Sequence, residues 1–377
     1  MSVNESTSTF GKSRLLPLDM LRGIAALLVA IGHFGEWGAI RLEETFSFCV
    51  PFFFMLSGYV LAHAYGDAIA KRALDFRGFV ALRVARLYPL HIVTFLAVVA
   101  FYASMEVSRL FVTLPVSDAV GLHANLLKLI ETMTLTHFLL GQGVSFNTPS
   151  WSISIEFWCS FYVFVLCSTR LSRLLKLLGA FAGFAALAAV QVKGGLYGAD
   201  RYWFGAINTT YLIGVGCFAI GWGLKEIRNK TERIVCRLPR FFYWGLAFAT
   251  FSFMIFTSDA KIFDSAIYLS FAIMIAGLSG SEVRGEKIKW VMKRAGDLSY
   301  GIYLWHMPLT LAIAAVAHIF EKLAGLNLLH TVILDLIYIP ALLLIASFSY
   351  RLIELPAKVK MRKFLSGTLR STAVLAK

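Results

Sequence analysis

Long apolar runs recur along the chain and are separated by short polar stretches. Ten of them approach the roughly 20 residues that a helix needs to cross a hydrocarbon core about 30 Å thick. These runs cover residues 16–36, 46–65, 87–106, 150–169, 172–191, 207–225, 240–257, 262–280, 299–320 and 330–352. The pattern therefore predicts ten transmembrane helices.

A half-apolar stretch at 122–140 departs from this pattern. Polar and charged side chains interrupt it at His123, Asn125, Lys128, Glu131 and His137. We therefore expect a helix at the membrane surface here. It lies within a predicted external segment, 107–149, whose length suits closure over a bound molecule.

The composition is typical of a membrane protein. Hydrophobic residues make up 58% of the 377 positions and charged residues 15%, whereas soluble domains average about 45–50% and about 25%. We predict an all-α, polytopic helical bundle with a polar N-terminus at 1–15, one transmembrane domain at 16–356 and a basic tail at 357–377. The five cysteines lack the spacing of a metal or redox site, so we predict no metal centre and no disulfide framework.

The net charge of +14 is explained by orientation. With a cytoplasmic N-terminus, the cytoplasmic segments carry 28 Lys and Arg residues and the external connections carry 7. Because Lys and Arg concentrate in cytoplasmic loops, both chain ends are predicted to be cytoplasmic. The same distribution argues against nucleic acid as a partner, since no basic block lies on a soluble module. It indicates an anionic lipid surface instead.

The first predicted span carries three ionisable side chains, which are costly in lipid and mark functional sites. Asp19, Arg22 and His33 are spaced so that they share one helical face. Arg22 and His33 are eleven residues apart, roughly 16 Å along a helix axis. Asp19 is expected to pair with Arg22. The alternative is that Arg22 reaches the inner headgroups and His33 the outer ones.

The fourth predicted span contains a further acid, Glu156, in TPSWSISIEFW. The topology places Glu156 at a depth similar to that of His33, where a carboxylate would orient the imidazole and raise its basicity. Alternatively, Glu156 pairs with an arginine. Trp151, in the same segment, is compatible with interfacial anchoring or with stacking on an acceptor.

The ninth predicted span carries GDLSYGIYLWHMPL. Asp297 and Ser299 have the character of helix N-caps. His306 is then expected one to two turns from the cytoplasmic side, too far from His33 to share a proton with it. A packed, hydrogen-bonded histidine is an equally good interpretation.

Two short motifs allow functional and structural interpretations. Arg83 and Arg86 end the 66–86 connection in RVARLYP, where they suit phosphate groups or flank a span on its positive side. Ser57 and Gly58 are either a nucleophile and its turn or small residues at a helix–helix contact.

Six segments occur in a characteristic order, namely LDMLRGIAALLVAIGHF, FFFMLSGYVLAHAY, RVARLYPLH, TPSWSISIEFW, GDLSYGIYLWHMP and RLIELP. In these segments the chain resembles the membrane-bound acyltransferases of the acyltransferase-3 family, from about Leu18 to Pro356. The resemblance implies a bacterial inner-membrane enzyme that moves an acyl group, usually acetyl, from cytoplasmic acyl-CoA to a cell-surface or lipid-linked carbohydrate. By position, the family's motif residues fall on Arg22, His33, Trp151, Glu156, Ser299, Tyr300 and His306.

The resemblance and the predicted topology together imply a division of roles. The residues expected at the acyl-CoA end are Arg22, Arg83, Arg86, Ser299, Tyr300 and His306. His33 is expected to be a general base or an acyl relay, with Glu156 orienting it. Acetyl-CoA would be a substrate, and no permanently bound cofactor is implied. Some family members have an additional periplasmic domain, so any such partner of this chain is expected to be a separate protein.

Two other functions compete with this interpretation. An acyl-group exporter that feeds a separate acyltransferase would have the same topology but would form no ester by itself. A membrane scaffold would leave the Arg22–His33 spacing unexplained. Within the enzyme class, succinyl or longer donors and amino acceptors stay open.

Overall fold

The computed structural model describes residues 14–34, 48–109, 126–137, 146–168, 173–192, 202–203, 207–235, 238–256, 264–324, 332–361 and 363–364. Within them the helices are α1 (Leu16–Gly32), α2 (Cys49–Ala70), α3 (Phe76–Arg109), α4 (Leu126–Met133), α5 (Ser150–Cys167), α6 (Arg173–Val192), α7 (Thr209–Val235), α8 (Arg240–Phe256), α9 (Asp264–Leu278), α10 (Glu286–Ala324) and α11 (Val332–Ser349). A π-helical turn, Tyr350–Glu354, continues α11. Two two-residue strands, Tyr202–Trp203 and Ile207–Asn208, pair in antiparallel fashion.

Each of the ten predicted runs overlaps one of these helices, so the helical bundle is confirmed. Five segments of the described chain are long and apolar enough to cross a membrane, namely Cys49–Ala70, Phe76–Ser104, Ser150–Cys167, Glu286–Ala317 and Leu336–Met361. Large apolar side chains also face outward, as at Phe248 and at Phe256, which is 86% exposed. Lipid is the solvent that such a surface requires. The count of ten crossings and the orientation stay predictions.

The predicted helix boundaries are wrong at two places that matter for the site. The helix α3 begins at Phe76 rather than at 87, and α10 begins at Glu286 rather than at 299. Hydropathy detects only the uncharged part of a helix. Arg, Leu and Ala extend α3 at little cost, and Glu, Lys, Met and Ala extend α10. RVARLYP therefore lies inside α3 and not at the end of a loop. Asp297 and Ser299 likewise lie inside α10 and are not N-caps.

The surface helix predicted within 122–140 is α4, and it docks on α3 and α5. The Nε2–H of His91 donates to the Thr132 carbonyl at 2.8 Å. The indole of Trp158 donates to the Leu135 carbonyl at 2.9 Å. His137 is buried, and burial lowers its pKa to about 4, so the ring packs there in its neutral form. The rest of the 107–149 segment, apart from 107–109 and 146–149, lies outside the described residues.

Glycines allow close contact between α2 and α7. A Cβ at Gly58 would overlap the backbone of Phe218, and a Cβ at Gly221 would overlap the Met55 carbonyl oxygen and lie 2.6 Å from the Tyr59 nitrogen. Small residues let membrane helices approach in this way. Of the two interpretations of Ser57 and Gly58, the helix–helix contact is thus confirmed for Gly58.

Replacing Gly221 by Ala should lower the free energy of unfolding by about 1–3 kcal/mol, because the added methyl group overpacks the α2–α7 contact. Gly223→Ala is the matched control, since a Cβ at Gly223 meets nothing within 4 Å, and alanine is the better helix former. Thermal unfolding in detergent, followed by circular dichroism, measures both variants. Equal melting temperatures for the two would contradict this packing.

Candidate functional site

The polar face of α1 lies against α10, and the two helices run in the same direction. Arg22, near the start of α1, donates to Ser299 and Gly296 of α10. The ring of His33, which follows α1, lies 5.1 Å from the ring of His306, further along α10. The shared direction therefore produces two groups of polar residues, one at each end of the α1–α10 contact.

The first group lies at the start of α1. Arg14 pairs with Asp19 and, at 2.9 Å, with Asp297. Arg22 lies 3.3 Å from the other oxygen of Asp19, which confirms the expected pairing. Its Nη2–H donates to the Gly296 carbonyl at 2.7 Å, and its Nε–H donates to the Ser299 hydroxyl at 2.9 Å. The guanidinium of Arg22 is thus held by three groups while its side chain stays 27% exposed.

Gly296 makes this geometry possible. A Cβ at this position would lie 2.6 Å from Cγ of Asp19. At Gly23, one turn further along α1, a Cβ would lie 2.7 Å from Cβ of Ala295. Small residues on both helices therefore bring the Gly296 carbonyl within reach of Arg22.

Arg86 extends the first group toward the end of the chain. It donates to Glu354 at 2.7 Å and lies 5.0 Å from the centre of the Tyr300 ring. Glu354 is 1% exposed and also contacts the ammonium of Lys358 at 3.3 Å. We call Arg14, Arg22, Arg86, Lys358 and their acidic partners the arginine cluster. Sequence reasoning missed Glu354, although it is the single acid in the closing motif RLIELP.

Glu156 forms an ion pair with an arginine. Its carboxylate accepts a hydrogen bond from Arg83 at 2.8 Å, and the Arg83 side chain is only 8% exposed. The alternative, that Glu156 pairs with an arginine, is therefore what the structure shows. Trp151 is half-buried and packs against the main apolar core. Arg83 and Arg86, although three residues apart, have different acidic partners.

The second group is the pair of imidazoles, His33 and His306, which we call the histidine pair. Their planes are inclined by 52°. The expectation that His306 lies far from His33 is wrong, because α10 begins thirteen residues before the apolar run and brings His306 deeper into the bundle. The ring of Tyr303, whose hydroxyl bonds that of Ser152 at 2.8 Å, lies 5.7 Å from His306.

Backbone carbonyls fix the tautomers of both rings. Nδ1 of His33 lies 2.8 Å from the Val29 carbonyl oxygen, and Nδ1 of His306 lies 2.6 Å from the Tyr303 carbonyl oxygen. A carbonyl only accepts, so each Nδ1 carries the hydrogen. In the neutral state each Nε2 then carries a lone pair, which is the form required of a base.

A metal-dependent site has no support within the described residues. There, His, Cys, Asp and Glu side chains form no group of three or more that could hold a metal ion. Chemically, imidazoles such as the histidine pair can transfer protons, and guanidinium groups such as those of the arginine cluster can bind anions.

The chain is similar to several known proteins. The "Putative peptidoglycan O-acetyltransferase YrhL" of Bacillus subtilis (strain 168) is 26% identical over 379 residues, which cover 92% of this chain and 55% of YrhL. "Protein 2 in picA locus" of Rhizobium radiobacter is 32% identical over 153 residues, covering 38% of this chain and 77% of that protein. "Acyltransferase MdmB" of Streptomyces mycarofaciens is 33% identical over 161 residues, which cover 40% of this chain and 38% of MdmB.

This chain spans about half the length of YrhL. No solved structure matches it. A family model described as "Acyltransferase domain", Acyl_transf_3, matches residues 16–351, which include Arg22 and Arg86 of the arginine cluster and both members of the histidine pair. The resemblance found in the six sequence segments is thereby confirmed, and the chain belongs to the Acyl_transf_3 family of acyltransferases.

Proposed function

We propose that this acyltransferase moves an acetyl group from acetyl-CoA to a hydroxyl group of a cell-surface or lipid-linked carbohydrate. One observation carries the proposal: a single face of α1 bears an anion-binding arginine at one end and a basic imidazole at the other. Arg22 and His33 are roughly 16 Å apart along the helix. A donor with phosphates and a reactive thioester would extend along this distance.

The arginine cluster is the proposed site for the phosphates of acetyl-CoA. The side chains of Arg22, Arg86 and Lys358 are 27%, 22% and 24% exposed, so each is fixed by protein contacts and still reaches solvent. Guanidinium groups bind phosphate oxygens through paired N–H donors. Each of these cations shares its carboxylate partner with a second cation. Asp19 pairs with both Arg14 and Arg22, and Glu354 pairs with both Arg86 and Lys358. Positive charge is left to attract an anion.

His33 is the proposed general base. Its Nε2 lone pair would take the proton of the acceptor hydroxyl while the oxygen attacks the thioester carbon. A C–O bond forms, the C–S bond breaks, and the proton finally passes to the sulfur of CoA. A two-step version, in which His33 first carries the acyl group, uses the same atoms. Glu156 would act in either version by holding Arg83.

The acceptor class is proposed from the relatives. YrhL is named for O-acetylation of peptidoglycan, a carbohydrate polymer outside the cytoplasmic membrane. We propose that the donor enters from the cytoplasm at the arginine cluster and that the acceptor approaches the histidine pair from the opposite side. The proposal therefore includes a location in the bacterial inner membrane. A separate periplasmic partner protein also forms part of the proposal.

His33→Ala should lower the rate of carbohydrate ester formation by about 10²–10⁴-fold, the usual contribution of a general base. The purified protein in detergent would receive radiolabelled acetyl-CoA and a peptidoglycan-derived acceptor, and base-labile label on the carbohydrate would be counted. His63→Ala is the control, since His63 is a buried histidine on α2. If wild type binds the donor and still forms no ester when a crude periplasmic extract and a glycan extract are added, the exporter interpretation replaces this one.

Arg22→Lys should raise KM for acetyl-CoA roughly tenfold, because an ammonium keeps the charge but loses the paired guanidinium contacts to Ser299 and Gly296. The matched control is Arg294→Lys, since Arg294 also lies on α10 and donates to a serine hydroxyl, that of Ser347, at 2.7 Å. Steady-state kinetics at fixed acceptor concentration measure the effect. Equal KM values for Arg22→Lys and wild type would remove Arg22 from the donor site.

A further inference from the structure

His306 has no role yet in the proposed reaction, although it is the most enclosed member of the site. Its side chain is 0% exposed. Its Nδ1–H donates to the Tyr303 carbonyl at 2.6 Å, and its Nε2 has no hydrogen-bond partner in the described part of the chain. Buried polar atoms are nearly always bonded, so this lone pair lies where a donor would be stabilising.

An unpartnered ring nitrogen alone does not define a role. His91 is also 0% exposed, donates through one nitrogen to a backbone carbonyl at 2.8 Å and leaves the other nitrogen unpartnered. His306 differs because the ring beside it is that of His33, at 5.1 Å. It also lies at the end of the helical face on which Arg22 binds Ser299.

The hydroxyl groups that contact His306 or its neighbours are bonded away from its ring, including that of Thr310, which donates to the His306 carbonyl at 2.8 Å. From α1 it faces His33. From α11 the hydroxyl of Tyr338 donates to its backbone carbonyl at 3.4 Å, not to its ring. On its own helix, the hydroxyl of Tyr303 is engaged with Ser152. The group near the ring that changes protonation during the proposed transfer is therefore His33.

We propose that His306 is a positioning residue that shares the abstracted proton with His33, and this inference rests on the proposed function. When the hydroxyl oxygen bonds to the acyl carbon, its proton moves to Nε2 of His33. The Nε2 lone pair of His306 then stabilises the resulting imidazolium. The proton leaves the pair when the C–S bond breaks and the thiolate sulfur takes it up. Atoms and electrons balance without any further reactant.

The test compares His306→Gln with His91→Gln. Glutamine can hydrogen-bond near the position of Nε2 but cannot accept a proton. His306→Gln should lower kcat on the order of a hundredfold without a change in KM for acetyl-CoA. The rate should also be measured as a function of pH. We expect the acidic limb of the kcat profile to be unchanged in His91→Gln and to move to lower pH in His306→Gln, because an amide is a weaker acceptor for the His33 imidazolium than an imidazole lone pair.

A loss of kcat in His306→Gln that leaves the acidic limb at its wild-type pH would overturn the inference, and so would equal losses in both variants. Nitrogen-15 NMR of histidine-labelled wild type gives a readout without turnover. The inference requires the Nδ1–H tautomer at both His33 and His306, and an Nε2–H tautomer at His306 contradicts it. If the tautomers are as required but wild type forms no ester, it is the proposed function that fails.

Discussion

The parallel contact between α1 and α10 is the interaction on which the rest of the site depends. Gly23 and Ala295 bring the helices together, with a Cβ at Gly23 only 2.7 Å from that of Ala295, and Gly296 leaves its carbonyl open to Arg22. Because the helices run in the same direction, one contact aligns Arg22 with Ser299 and His33 with His306. The arginine cluster and the histidine pair are thereby held at opposite ends of one helix–helix contact.

Burying charged groups in such a bundle is costly unless each has a partner. Arg83 with Glu156 and Arg86 with Glu354 show how the fold meets this constraint. Glu354 is 1% exposed and supports two cations, and it lies in a π-helical turn, a local distortion that is frequent at functional sites. These ion pairs join α3 to α5 and to the π-helical turn. The acids of the site therefore hold the arginines in position.

The sequence was informative about features that depend on hydrophobic periodicity and on the cost of placing charged groups in lipid. Apolar runs located the helices, and the spacing of Asp19, Arg22 and His33 identified the face of α1 that meets α10. Partners across helices were not predictable, because hydropathy hides the charged first turns of α3 and α10. Because of that error, the sequence pattern predicts His306 to be far from His33. It also assigns Arg83 to a loop and does not identify it as the partner of Glu156. The role of Glu354 depends on a contact with Arg86, 268 positions away, which no local pattern encodes.

The central claim is that donor and acceptor reach opposite ends of the α1–α10 contact and hence opposite faces of the membrane. The most direct measurement uses sealed proteoliposomes with labelled acetyl-CoA outside and the carbohydrate acceptor either trapped inside or added outside. The protein can be inserted in both orientations, because only the molecules whose donor site faces outward meet the labelled acetyl-CoA. We predict ester formation only when donor and acceptor are on opposite sides. Ester formation with both on the same side, in vesicles that stay sealed, would contradict the account.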